Sequence, residues 1–188
     1  MTSRLVRYVL ANTSKGILVE AGCGSGEVSL KVAEQRGDRV ILVDRSSAAL
    51  SLARRAAAQL GVEASFIACD IGELSAHLPS APDHLVYNIG VIEHFADPST
   101  ILQEMAKVSG REALALIPER SLFWLSFIWL SRRLRLVPKE FFVLLHDQER
   151  LYELVRAAGL VPCWVRRARV LGIIPYLGIA FARRDDSR

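Results

Sequence analysis

The chain runs Ile17-Leu18-Val19-Glu20-Ala21-Gly22-Cys23-Gly24-Ser25-Gly26, an apolar stretch that ends in three glycines at alternate positions. The apolar run reads as a buried strand. The glycines let the backbone turn sharply and approach a small molecule with no Cβ in the way. A helix-like stretch follows, about residues 26–35, with Val28, Leu30 and Val32 expected inward. Strand, glycine turn and helix together put the loop at the carboxyl end of a strand, where open α/β sheets bind ligands.

Working outward, the same alternation repeats. A short helix fits residues 3–12. Later strands are expected at 39–43, 64–68, 84–88, 112–117, 161–167 and about 172–182. Between them fall helices at 47–60, closed by Gly61 and capped by Ser46 or Ser47, a short one near 72–77, one at 98–108 with Asp97 as cap, and one at 147–158. Strand–helix alternation with short loops implies a parallel sheet covered on both faces. The last two strands have no helix between them and are expected to pair antiparallel.

The composition sets outer bounds. At 188 residues one domain with a substantial core is expected. The 24 Lys and Arg against 20 Asp and Glu leave +4, a mild bias that does not indicate dedicated nucleic-acid binding. Cys23, Cys69 and Cys163 form no CxxC pair, so neither a zinc site nor a disulfide framework is expected. Residues 1–7 lack the apolar segment of a signal peptide, which favours the cytoplasm.

Two acids complete a constellation around the glycine loop. Asp44 ends the second strand, 18 residues after Gly26, where a carboxylate can accept hydrogen bonds from two ribose hydroxyls. Asp70 ends the third strand beside Ile71, an acceptor and an apolar wall of the kind an adenine needs. The NAD fingerprint wants a glycine where Glu27 stands, and Glu20 precedes the loop. Two carboxylates would repel a pyrophosphate and suit a cationic amino-acid moiety. A nicotinamide-dependent oxidoreductase and a non-catalytic cofactor-binding scaffold are the competing readings.

With Glu20-x-Gly22-x-Gly24-x-Gly26, Asp44, Cys69-Asp70-Ile71 and the segment from Asn88 to Phe95 in order, the chain resembles the class I S-adenosylmethionine-dependent methyltransferases. Its flavour is that of the small-molecule enzymes similar to ubiquinone and menaquinone biosynthesis methyltransferases. The resemblance implies a Rossmann-like, seven-stranded, mostly parallel sheet ordered 3-2-1-4-5-7-6, with strand 7 antiparallel. It implies S-adenosyl-L-methionine as cofactor. Glu20, Gly22, Cys23, Gly24 and Gly26 would hold its methionine end, Asp44 and Arg45 the ribose, and Asp70 and Ile71 the adenine. Asn88, Ile89 and Gly90 would line the pocket near the methyl group.

The acceptor is less legible. His94 and His146 are candidate general bases, being titratable near neutral pH, with Tyr87 as a further candidate. Glu93 and His94 echo a metal-binding E-x-x-E-H pattern, but Gly90 occupies its first position, so no metal is expected. His77 and His84 flank a Pro-rich loop and are expected to be solvated.

Residues 118–145 form a long connection rich in Leu, Phe and Trp, followed by Arg132, Arg133, Arg135 and Lys139, then Phe141 and Phe142. A helical lid over an apolar acceptor, a homodimer contact and a peripheral membrane contact through residues 122–135 are the readings open here. Glu93, Phe123, Trp124 and Phe127 are the candidate acceptor contacts. The acceptor is expected to be small and apolar, a lipid, a quinone-like phenol or another metabolite.

Overall fold

Leu18 and Val19, Leu42 and Val43, and Leu114 and Ala115 are neighbours in sequence and lie in opposite halves of the core. A strand points successive side chains to opposite faces, so apolar pairs of this kind need cover on both sides of one sheet. The computed structural model describes residues 2–134, 136, 143–170 and 174–184. In it seven strands, β1 (Ile17–Ala21), β2 (Arg39–Val43), β3 (Ala64–Ile67), β4 (His84–Ile89), β5 (Ala113–Pro118), β6 (Val161–Val170) and β7 (Ile174–Ala182), form a single sheet. Its order is β3-β2-β1-β4-β5-β7-β6. The first five strands pair in parallel, and β7 is antiparallel to both β5 and β6. The order is the one the family resemblance implies, and the parallel sheet with an antiparallel last pair is the one the element pattern predicts.

Helices α1 (Thr2–Asn12), α2 (Glu27–Arg36) and α3 (Ser47–Leu60) cover one face. Helices α4 (Leu74–His77), α5 (Ser99–Val108) and α7 (Gln148–Ala157) cover the other. The starts follow local chemistry. Ser46 accepts from the Ala49 amide at the head of α3, and Asp147 from the Arg150 amide at the head of α7. Asp97 accepts from the Ser99 amide at 2.9 Å, one residue beyond the expected start of α5.

The long connection holds a further helix, α6 (Leu122–Arg133). Arg135, Lys139, Phe141 and Phe142 lie outside the described residues, as do Gly172 and Ile173 at the expected start of the last strand. No helix among the described residues is long and apolar enough to cross a membrane.

Three side chains differ from expectation. His84 is buried, not solvated, with its Nδ1 lacking a partner among the described residues. It opens β4, which lies between β1 and β5, so neighbouring strands cover it despite its polarity. Val28 is only half-buried, and Ser29 takes the inward position on α2. Tyr87 is sealed inside the sheet and hydrogen-bonded to the Ser29 hydroxyl. Burial pushes its phenol far above the usual range, so it is no base for an acceptor.

Candidate functional site

The parallel register brings the ends of β1, β2 and β3 side by side, with Ala21 beside Val43 and Val43 beside Ile67. The glycine loop, Asp44 and Asp70 follow directly. Gly22, Gly24 and Gly26 all have positive φ, at 77°, 53° and 66°, a backbone region that side chains with a Cβ rarely enter. The space beside Gly24 is open to 4 Å, whereas a Cβ on Gly26 would come within 2.5 Å of Leu42. One glycine thus leaves room and the other lets α2 lie close on the sheet.

The loop's hydrogen bonds turn inward. The Gly22 and Cys23 amides both donate to the Val43 carbonyl, at 2.8 and 2.9 Å, and the Gly26 amide donates to the Cys23 carbonyl at 2.8 Å. The Gly24 amide donates to Asp44 Oδ2 at 2.9 Å, and Asp44 Oδ1 accepts from the Ser46 amide at 2.8 Å. Four amides that a phosphate-binding loop would aim at its ligand are therefore committed within the protein.

Glu20 stands behind the loop, buried on the α2 side, and accepts from the Ser29 hydroxyl at 2.6 Å. Burial raises its pKa to about 7 against the lowering effect of Ser29, and the nearby Asp44 charge raises it further. Burial likewise pushes the Cys23 thiol up, with Glu20 and Asp44 adding to the effect, so it is no thiolate nucleophile. Glu27, at the first turn of α2, reaches Lys31 at 2.9 Å on the surface. Arg45 is exposed beside Asp44. Asp70 is exposed and accepts from the Gly72 amide at 2.8 Å, while Ile71 packs into the core.

Beyond β4 the chain turns through Gly90, with φ of 70° and its amide on the Leu116 carbonyl at 2.9 Å. Asn88 points the other way. Its carboxamide is fully buried against Met105 Sδ at 3.1 Å under α5, so only its backbone can border a ligand. Ile89 instead packs with Val28, Leu116, Trp124 and Tyr176.

Glu93 is buried in the short turn after Gly90, and Oε2 finds no hydrogen-bond partner among the described residues. Burial raises its pKa, with the neighbouring His94 acting against that rise. Tyr176 lies close enough that Glu93 adds to the rise of its phenol to about 12, a rise caused mainly by burial. Trp124 packs edge-on against Tyr176 with ring centroids 5.8 Å apart, and its indole N–H donates to the Pro175 carbonyl at 3.0 Å. The residues from Leu144 to His146 run past this turn. The Leu144 amide donates to the Glu93 carbonyl at 2.8 Å, and the His146 carbonyl accepts from Arg120 at 2.9 Å. His146 is buried and its pKa is lowered, first by burial and then by Arg150.

The structure thus brings Glu20, Gly22, Cys23, Gly24, Gly26 and Asp44 into one unit, with Asp70 and Ile71 on the next strand. Glu93, Ile89, Trp124 and Tyr176 form a second, more apolar group. Phe123 and Phe127 lie parallel with centroids 6.4 Å apart, and each packs edge-on against Trp124, at 5.8 and 5.7 Å, from the exposed side of that group. Sequence reasoning missed Ser29 and Tyr176. A hydroxyl among Leu30, Val32 and Ala33 on a buried helix stripe signals the first, and the lone tyrosine of an otherwise apolar final strand the second. Among the described residues, no three His, Cys, Asp or Glu side chains are grouped to hold a metal ion.

Comparison with known proteins places this arrangement. Residues 12–157 match the family described as a methyltransferase domain. The chain is 33% identical over 92 residues to a ribosomal RNA small subunit methyltransferase H of Sorangium cellulosum (strain So ce56), covering 47% of this chain and 29% of that protein. It is 28% identical over 126 residues to a ubiquinone biosynthesis O-methyltransferase of Cronobacter sakazakii (strain ATCC BAA-894), covering 65% and 51%. The chain therefore spans about half or less of the length of these curated relatives. Among solved structures, it is similar to the magnesium protoporphyrin IX methyltransferase of Synechocystis PCC 6803 with bound S-adenosylhomocysteine. That match has a TM-score of 0.71 at 17% identity and covers 97% of this chain and 81% of that one. It is also similar to the geranyl diphosphate C-methyltransferase of Streptomyces coelicolor A3(2), solved with Mg2+, geranyl diphosphate and S-adenosylhomocysteine. Here the TM-score is 0.70 at 16% identity, covering 96% and 79%. At such identities the likeness is one of fold.

Proposed function

The chain belongs to the methyltransferase domain family, and on that premise we propose that it transfers a methyl group from S-adenosyl-L-methionine to a small, largely apolar acceptor. The observation that carries the cofactor assignment is the inward turn of the loop amides, with Glu20 and Asp44 beside them. A loop that spends its donors internally and keeps two carboxylates close suits a cationic ligand and disfavours a pyrophosphate. The donor set fits in the other parts too. Asp44 retains acceptor capacity for ribose hydroxyls on both oxygens, and exposed Asp70 beside Ile71 offers an acceptor and an apolar wall to an adenine.

When bound, S-adenosylmethionine supplies a methyl group on a positively charged sulfur. The protein's own part is to hold an acceptor in line with it and to keep water away, because the charge disperses as the reaction proceeds. Ile89, Trp124 and Tyr176 form the apolar wall against which such an acceptor packs, and α6 is the lid whose inner edge is Trp124. Glu93 supplies a buried carboxyl to that wall. Its oxygen without a partner among the described residues anchors a hydroxyl of the acceptor and accepts any proton that hydroxyl releases. His146, held neutral by burial, is the second base within reach of the same turn.

Calorimetric titration with S-adenosylmethionine, S-adenosylhomocysteine and NAD tests the proposal. Both sulfur ligands are expected to bind and NAD to give no heat. Binding of NAD alone would overturn it.

A further inference from the structure

Among the described side chains of helix α6, Trp124, Ile128 and Ser131 turn toward the domain. At 3.6 residues per turn, this inner stripe leaves most of the helix circumference uncovered, and that surface is apolar. Leu122 is 83% exposed and Trp129 67%, with Leu125, Phe127, Leu130 and Leu134 also exposed. A contiguous apolar surface of this kind on a folded domain marks an interaction site. We propose that the outer face of α6 docks the protein on an anionic lipid bilayer, with the helix lying in the plane of the interface.

Charge selects this occupant. Residues 121–134 contain no Asp or Glu, and Arg132 and Arg133 follow the aromatic run in sequence, Arg133 being exposed. Exposed Arg4 and Arg7 lie nearby, because α1 packs into the Trp124 cluster through Leu5 and Tyr8. Apolar side chains beside a cationic cluster match acyl chains beside anionic headgroups. A second copy of this chain is a poorer match. A two-fold contact sets the same patch against itself, and α6 carries no acid to pair with Arg133. Length agrees with an in-plane orientation, since 12 residues span about 18 Å, short of the roughly 30 Å of a hydrocarbon core. The Trp124 indole bond to Pro175 and its packing on Tyr176 fix the helix on the domain, so the docked face is held rigidly. The inference goes beyond the methyl-transfer reading and does not depend on it.

Co-sedimentation of the whole chain with vesicles tests it. One set is phosphatidylcholine alone, the other equal parts phosphatidylcholine and phosphatidylglycerol. Binding to the anionic set is expected to be at least about tenfold tighter and to weaken as salt is added. Leu122→Ser with Trp129→Ser should abolish it while leaving the melting temperature and S-adenosylhomocysteine affinity unchanged, these being the most exposed apolar side chains of the helix. Arg133→Glu should weaken it with the apolar face intact. Failure to pellet with either vesicle overturns the proposal, as does undiminished pelleting of the double variant. Sedimentation velocity supplies the remaining arm. A concentration-dependent dimer lost in the double variant would assign the face to a second copy and overturn the membrane assignment. Because S-adenosylhomocysteine binding is measured separately, failure here and failure of the methyl-transfer reading are told apart.

Discussion

The Asp44 carboxylate accepts a hydrogen bond from the Gly24 amide at 2.9 Å, so the acid that ends β2 and the glycine loop that follows β1 are one mechanical unit. Asp44 has two duties as a result, ordering the loop and offering acceptor oxygens to a ribose. Asp44→Ala removes both. Cofactor affinity should fall by about 1.5–3 kcal/mol, the range of a charged hydrogen bond, or roughly ten- to a hundredfold. Calorimetry on a variant shown folded by circular dichroism checks this, and unchanged affinity would take Asp44 out of the site.

Glu20 should make stability depend on pH. Its carboxyl has an ordinary value of 4.5 and stands at about 7 in the folded protein. Between these values the folded state holds more protons than the unfolded one, so the stability Glu20 contributes is present below about 4.5 and is lost as pH rises through about 7. The difference corresponds to about 3 kcal/mol at most. Glu20→Gln is expected to flatten this dependence and to melt above the parent at pH 8. The same variant should bind S-adenosylmethionine more weakly, having lost a negative charge. Denaturant titrations at pH 5 and pH 8 read the first effect; a steeper pH dependence in the variant would contradict it.

Gly26→Ala tests the packing of α2. The added methyl would sit at φ of 66° and within 2.5 Å of Leu42. Strain at a left-handed position and displacement of a core leucine together should cost on the order of 1–3 kcal/mol. Gly24→Ala meets open space and should cost less stability, while hindering the ligand more. Melting curves paired with calorimetry should separate the two glycines in opposite order.

Glu93→Gln should lower turnover with little change in S-adenosylhomocysteine affinity, since the side chain belongs to the acceptor group and not to the glycine loop. A drop of roughly a hundredfold in kcat/KM is the scale expected for a positioned proton-transfer group. Tyr176→Phe should raise KM with a smaller effect on kcat. Equal loss of cofactor binding in either variant would show that the two groups are not separable.

The architecture was readable from sequence because each strand–helix unit carries its own punctuation. Ser46 and Gly61 bracket α3, Asp147 opens α7, and the missing helix between β6 and β7 leaves only antiparallel pairing. The glycine loop with Asp44 was readable for the same reason, its parts being set by strand ends. What was not readable depends on contacts distant in sequence. Nothing near Asn88 says that Met105 will cover it, and nothing near Glu20 says that Ser29 and Tyr87 will meet it in the core. His84 looked solvated because its neighbours are prolines and charges, yet strand position overrides local polarity. The apolar run at 122–130 announced a helix without telling which side would be left uncovered.

The position of β7 has a consequence for biosynthesis. Residues 174–182 lie between β5 and β6, paired from Ala113–Phe181 to Pro118–Tyr176 on one side and from Val161–Ala182 to Val170–Ile174 on the other. Strand β6 therefore has no place in the sheet until the strand made after it has left the ribosome. During translation β5 presents an open edge of buried-type residues, Ala113 to Ile117, to solvent or to a chaperone. Closure waits for β7, which joins β5 to β6 at the sheet's edge, and synthesis halted before residue 174 would release a chain with that edge still adhesive.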